Sequence, residues 1–148
     1  MPDRQEASHP HQAIVDPTGR YILVPDLGAD LIRVFQTDAA TNVLLERNPL
    51  RVKSGSGPRH AVFWSPTGDG TFDRTHPQKP ILGVSRHVYL YVVTELANSV
   101  MGYSVTYLSS GGLHFTEVFA DTTYGGPSAP IGAAAAEIAI TVSLSKPD

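Results

Sequence analysis

Four side chains of this sequence could move protons or bind an anion: His11, Arg59, His60 and Glu95. An imidazole or a carboxylate transfers a proton when it is held within hydrogen-bond reach of the reacting atom. A guanidinium presents a planar fork of donors that matches a carboxylate, a phosphate or a developing oxyanion. These residue types therefore favour acid–base chemistry on a substrate that carries or develops negative charge.

The elements that must position these side chains come from an internal repeat. Residues 11–19 correspond to residues 60–68, which lie 49 positions later, and each copy is an apolar strand that runs into a Pro-Thr-Gly turn. Residues 21–35 correspond to residues 89–103 at a spacing of 68 positions. The difference between the two spacings predicts an insertion at 69–87, whose Gly and Pro content is typical of an exposed loop.

Each repeat unit contains four predicted strands, and four strands in about 50 residues are typical of a β-propeller blade. The strands are predicted near 12–15, 21–24, 31–35 and 44–52, and again near 61–64, 88–93, 100–106 and 113–120. The fold class is therefore predicted to be all-β, a partial β-propeller that forms a single domain over 1–148. A compact β-sandwich also fits the strand count, although a sandwich does not require its units to repeat.

The boundaries of the predicted blades follow from the same repeat. Blade 1 is expected at about 11–53 and blade 2 at about 58–122, and a third blade is expected to start at about 133–148, with a strand near Glu137–Val142. The Ala-rich residues 133–136 could be taken for a helix. Because they directly precede a first-strand pattern, an extended course is predicted instead.

Propeller geometry is expected to bring the four side chains together. The innermost strand of each blade lines the central channel, and the strand ends open at a mouth. His11 lies at the start of one innermost strand, and Arg59 and His60 occupy the equivalent place in the next blade. Glu95 lies in a loop after the second strand of that blade. The four groups should therefore converge at one mouth.

Composition limits the classes of function. The net charge of −3 and the absence of a long basic run predict no nucleic-acid partner. The lack of cysteine excludes disulfides, thiolate catalysis and Cys-ligated zinc. Residues 1–12 lack the apolar stretch of a secretory signal, and no apolar run approaches the ~18 residues that cross a membrane. We therefore expect no membrane partner and a cytoplasmic location.

Metal coordination is another chemistry that the histidines could support. His9 and His11 are two residues apart and would share one face of a strand, and with His60 they could hold a metal. No carboxylate lies at a confirming spacing, so neither a metal nor a cofactor is predicted. Asp26 and Asp30 lie in a turn between strands, where such side chains commonly bond to the backbone.

Four motifs stand in order along the chain: Ser8-His9-Pro10-His11-Gln12, Asp16-Pro17-Thr18-Gly19-Arg20-Tyr21, Gly57-Pro58-Arg59-His60 and Thr94-Glu95-Leu96-Ala97-Asn98. Together they resemble the lactonase propeller family, which includes 6-phosphogluconolactonases and 3-carboxy-cis,cis-muconate cyclases. The resemblance implies a seven-bladed parent, of which this chain would be a fragment. The family pattern has Asn where this chain has Thr94.

The resemblance also implies roles for the candidate residues. His11 and Glu95 correspond to an acid–base pair, Arg59 to the anion binder, and His60 to a further substrate contact. The implied substrate is a small lactone or carboxylate, and the reaction is either hydrolysis of 6-phosphogluconolactone or cycloisomerisation of 3-carboxymuconate, without a metal. The other hypothesis is a catalytically inactive truncated propeller that serves as a binding scaffold and could associate with itself through exposed blade faces.

Overall fold

A computed structural model describes residues 4–66, 87–126 and 128–141. The first sheet contains β1 (Ile14–Val15), β2 (Tyr21–Asp26), β3 (Leu31–Thr37) and β4 (Leu44–Arg51), in that order. The second sheet contains β5 (Pro58–Trp64), β6 (Val88–Thr94), β7 (Ser99–Tyr107) and β8 (Leu113–Thr122). All neighbouring strands are antiparallel, and each repeat unit forms its own sheet. The predicted all-β fold, a partial propeller with two four-stranded blades, is therefore confirmed.

Two parts of the prediction fall at or beyond the edge of the described chain. The predicted insertion at 69–87 lies outside the described residues apart from His87. The described residues up to 141 form no strand near Glu137, since no strand among them lies alongside to pair with it, so the predicted third-blade strand is not formed there. Residues 133–136 are not helical, as predicted. No helix within the described ranges is both long and apolar enough to cross a membrane.

A buried apolar cluster joins the two blades. Successive residues of a strand point to opposite faces of the sheet, so alternate residues of the central strands meet between the blades. The cluster includes Tyr21, Leu23, Ile32 and Val34 from the first blade and Val88, Leu90, Val92 and Tyr103 from the second. Burying a side chain of this size stabilises the fold by roughly 1.5–3 kcal/mol. The interface between the blades is therefore a principal source of stability.

A buried carboxylate reinforces this interface. Asp16 is 3% exposed and accepts hydrogen bonds from the backbone N–H groups of Thr18, Arg20 and Tyr21, which closes the turn between β1 and β2. Its Oδ2 also accepts a hydrogen bond of 2.9 Å from the hydroxyl of Tyr107 in the other blade. The turn of blade 1 is thus tied directly to β7 of blade 2.

Replacing Tyr107 with phenylalanine is expected to lower the free energy of unfolding by about 1–2 kcal/mol near neutral pH, because the Asp16 carboxylate loses a donor. Burial raises the pKa of Tyr107, and the charge of Asp16 raises it further. The resulting stability is fully present below the unfolded tyrosine pKa of about 10 and is lost as the pH rises above it.

Urea unfolding at about pH 8 and about pH 11 measures both effects. Wild type should lose more stability between the two pH values than Tyr107→Phe does. Tyr124→Phe is the matched control, since Tyr124 is 45% exposed. Equal losses in wild type and Tyr107→Phe would contradict the assignment.

The strand registers correct the equivalence of the inner strands by one residue. Leu23 of β2 and Tyr91 of β6 are 68 residues apart, as the repeat predicts. Their partners on the inner strands are Ile14 and Val62, which are 48 residues apart. The sequence motif instead predicts a spacing of 49 residues. Backbone hydrogen bonds, and not side-chain identity, define which residues are equivalent in a sheet.

The corrected spacing changes which site residues are counterparts. His11 of blade 1 corresponds to Arg59 of blade 2, and Gln12 corresponds to His60. The motif had aligned the two histidines with each other. The two blades therefore present different chemical groups, an imidazole and a guanidinium, from the same structural position.

Candidate functional site

A β-bulge places Arg59 at the start of the inner strand of blade 2. Pro58 pairs with Thr94, whereas His60 pairs with Val93, so Arg59 is the extra residue between two ladder positions. A bulge leaves its extra residue outside the regular ladder and changes the direction of a side chain, and bulges are frequent beside active sites. The bulge therefore frees Arg59 from the alternation of the strand.

Blade 1 has a bulge at the same place. Pro10 bridges to Asp26, and the N–H of His11 donates to the carbonyl of Pro25 at 3.2 Å. When the ladder resumes at Ile14, its register has shifted by one residue. The candidate site is thus built on two successive bulges, one in each blade.

Glu95 lies in the turn between β6 and β7, directly beside Arg59. Its backbone N–H donates to the carbonyl of Gly57 at 2.8 Å, which fixes the turn against the start of β5. Its side chain is 5% exposed. Oε1 accepts a hydrogen bond of 2.5 Å from Nη2 of Arg4, and Oε2 accepts one from Nη1 of Arg59. A buried carboxylate is therefore shared by two guanidinium groups.

The electrostatics of Glu95 suit a positioning role. Burial raises the pKa of its carboxyl, but the hydrogen bonds and positive charges of Arg59 and Arg4 outweigh burial and leave the pKa below its ordinary value. Glu95 is thus ionised at neutral pH, with both oxygens engaged. Leu27 takes the same place in blade 1 and is fully buried. The carboxylate is consequently a particular feature of this mouth, not a requirement of the blade fold.

His11 experiences the same set of charges. Partial burial lowers the pKa of its imidazole, the positive charge of Arg59 lowers it further, and Glu95 partly opposes this effect. Charges on His60 and Arg4 also lower the pKa of His11. The neutral imidazole, which can accept a proton, is therefore favoured at neutral pH.

His60 contacts the segment that follows blade 2. Its Nδ1 lies 2.8 Å from Oε1 of Glu137, as a close ion pair and not an aligned hydrogen bond. The contact with His60 and the N–H of Ile138 hold the pKa of Glu137 below its ordinary value. Gln12, the counterpart of His60 in blade 1, accepts a hydrogen bond of 2.7 Å from the N–H of Ala61 in the next inner strand. Both residues therefore reach the unit that follows their own.

The four side chains expected to converge lie at the same end of the two blades. Two of their partners were not anticipated, Arg4 and Glu137. Arg4 lies in a polar segment without a repeat counterpart, and nothing in the sequence marks it. Glu137 does have a sequence signal, since it begins the predicted third unit. Its contact with His60 nevertheless joins residues 77 positions apart, which a repeat pattern does not reveal.

The three histidines considered for a metal do not form a metal site. Among the described residues, no group of three or more His, Asp or Glu side chains could hold an ion. His9 instead contacts Glu6 at 2.9 Å.

Asp26 and Asp30 bond to turns, as their positions predict. Asp26 is fully buried and accepts hydrogen bonds from Ser8 Oγ at 2.5 Å and from Arg33 Nη2 at 2.8 Å. It also accepts a backbone N–H within its own turn. Asp30 accepts from the N–H of Gly57 at 2.9 Å. These contacts hold the loops that carry the candidate site.

Sequence comparison identifies the relatives of this chain. The family described as "Lactonase, 7-bladed beta-propeller" matches residues 1–144. A "Probable 6-phosphogluconolactonase" from Arthroderma benhamiae is 45% identical over 107 residues, which cover 72% of this chain and 23% of that protein. A "6-phosphogluconolactonase" from Yersinia enterocolitica is 31% identical over 98 residues, which cover 66% of this chain and 23% of that protein. The chain thus spans about a quarter of the length of these relatives.

Solved structures agree on the fold. A protein from Lactobacillus plantarum has a TM-score of 0.59 and 26% identity, over 84% of this chain and 29% of that one. The periplasmic gluconolactonase of Pseudomonas aeruginosa has a TM-score of 0.57 and 24% identity, over 86% of this chain and 28% of that one. At these identities the likeness supports the blade architecture.

Proposed function

The chain belongs to the lactonase family of seven-bladed β-propellers, and from this premise we propose that it hydrolyses a small-molecule lactone. The observation that carries the proposal is the buried contact between Arg59 and Glu95, at a mouth that also holds His11. The names of the relatives support a lactone substrate. They do not support the cycloisomerisation of carboxymuconate.

Arg59 is proposed to stabilise the oxyanion of the tetrahedral intermediate. Its Nη1 is engaged by Glu95, while its Nε has no hydrogen-bond partner among the described side chains and backbone groups. A guanidinium offers five N–H donors in a fixed plane, so one edge can be fixed by the protein while another binds substrate. Donors fixed before the reaction stabilise developing charge without having to reorganise.

His11 is proposed to accept the proton of the attacking water, and Glu95 to act with it by fixing Arg59. The charges around His11 favour its neutral form, which has a lone pair for that proton. Both oxygens of Glu95 accept from arginines, so its contribution is to hold Arg59 in a productive orientation. This mechanism uses side chains alone and routes no step through a metal or cofactor.

A phosphorylated sugar lactone is proposed as the first substrate to test. Relatives carry the name 6-phosphogluconolactonase. Arg4 and Arg59 together outweigh the single charge of Glu95, which leaves the mouth positive for an anionic substrate. A cytoplasmic location remains a prediction, and one protein of similar fold is called periplasmic.

The test compares the chain with a seven-bladed chimera, in which it replaces the matching 107-residue segment of the Arthroderma benhamiae relative. Hydrolysis of 6-phosphogluconolactone and glucono-δ-lactone should exceed the uncatalysed rate at least in the chimera, and 3-carboxymuconate should not cyclise. The same chimera carrying His11→Ala is the control for residual activity of the host blades. A chimera that hydrolyses neither lactone would contradict the proposed function.

A further inference from the structure

The segment after blade 2 repeats a contact that is already present between the blades. Asp30 has a left-handed backbone with φ of 51°, and its carboxylate accepts from the N–H of Gly57 at 2.9 Å. Asn98 lies 68 residues later with the same φ of 51°, and its Oδ1 accepts from the N–H of Ala135 at 2.8 Å. Ala135 therefore occupies the place that Gly57 occupies one unit earlier.

This shared contact sets the register of the following residues. Two positions beyond Gly57 is Arg59, the bulge residue of blade 2, and two positions beyond Ala135 is Glu137. Glu137 thus stands where a third bulge residue would stand, after His11 and Arg59 in the first two units. Its ion pair with His60 at 2.8 Å independently places its carboxylate at the same mouth.

We propose that His60 is the general acid of the lactone-opening step and that Glu137 is its positioning residue, an inference that rests on the proposed function. Hydrolysis of a lactone requires two proton transfers. His11 takes a proton from water as the water oxygen bonds to the carbonyl carbon. The ring C–O bond then breaks, and the leaving alkoxide takes a proton from His60. The product is the ring-opened hydroxy acid.

The surroundings of the two histidines suit these opposite roles. His11 lies among positive charges that favour its neutral form. His60 is flanked by Arg59 in its own strand and by His11 across the mouth, while the carboxylate of Glu137 contacts its Nδ1. A carboxylate in contact with an imidazole stabilises the protonated ring and leaves the other nitrogen as the proton donor. Paired groups whose environments separate their protonation states are typical of acid–base catalysis.

The leaving group distinguishes a general acid from a residue needed only for folding. His60→Gln, measured in the full chain, should lower kcat for glucono-δ-lactone about a hundredfold, because an alkoxide leaves poorly without a proton. With the aryl lactone dihydrocoumarin the loss should stay within about threefold, since a phenolate leaves without protonation. Equal losses on the two lactones would overturn the proposal.

Glu137→Gln should give the same selective pattern at about tenfold, a smaller effect because Glu137 is 68% exposed. Glu6→Gln is the matched control, since it removes the carboxylate of another His–Glu pair, at the surface. Its rates should equal those of wild type. A Glu137→Gln protein as active as wild type on both lactones would remove the positioning role.

A measurement without turnover tests the pair itself. The pKa of the Glu137 carboxyl, followed by NMR, should rise towards its ordinary value in His60→Gln, because the contact with His60 is the first cause of its lowering. An unchanged pKa would show that the pair does not form and would overturn the proposal. If the pKa rises while wild-type protein hydrolyses neither lactone, the proposed function fails, and the acid role fails with it.

Discussion

Arg59→Lys should lower kcat for lactone hydrolysis by about 10²–10³-fold, the usual cost of losing one preorganised oxyanion donor. Lysine keeps the positive charge but not the planar fork, so it cannot bind Glu95 with one edge and present another edge to substrate. The position leaves little room for compensation. Arg59 is a bulge residue whose Nη1 is fixed by a carboxylate that is 5% exposed. The effect should appear mainly in kcat, because the oxyanion develops after substrate binding.

The measurement is steady-state hydrolysis of 6-phosphogluconolactone by the chain or the seven-bladed chimera. Arg51→Lys is the matched control, since Arg51 is exposed at the end of β4 and lies outside the candidate site. Its rate should equal that of wild type. If Arg59→Lys retains kcat within about threefold of wild type, Arg59 does not stabilise the transition state.

Glu95→Gln should be damaging in two respects. The free energy of unfolding should fall by about 2 kcal/mol at neutral pH, because two guanidinium groups lose the carboxylate between them; partial exposure of both arginines moderates the loss. Turnover should also fall about a hundredfold, since Arg59 is no longer fixed where the oxyanion develops. Glutamine has nearly the same shape, so the variant isolates the loss of charge.

The pH dependence of stability gives this prediction a second test. The pKa of Glu95 is lowered in the folded chain, so its contribution is present above the unfolded glutamate pKa of about 4.3 and is lost as the pH falls through the folded pKa. The difference between wild type and Glu95→Gln should therefore shrink on acidification. Glu46→Gln, an exposed position on β4, is the control for a general charge effect. A stability difference that stays constant down to low pH would contradict the assignment.

The sequence by itself determined the secondary structure and the blade repeat. β2 and β6 were placed from alternating apolar residues that lead into turns, and the structure has them at Tyr21–Asp26 and Val88–Thr94. Strand alternation and turn formation depend on neighbours close in the chain, and such patterns are visible in one sequence. The same local reasoning put His11, Arg59 and Glu95 at strand ends, where a propeller mouth would gather them.

Only the tertiary structure decided which residues are equivalent and which are in contact. The one-residue shift that aligns His11 with Arg59 depends on hydrogen bonds between strands, which side-chain identity does not specify. Arg4 reaches Glu95 across 91 residues of sequence, and Glu137 reaches His60 from the following unit. Contacts of that separation form only when the blades pack. For that physical reason the sequence alone could indicate the groups at the mouth, whereas the charge around each of them is a property of the folded chain.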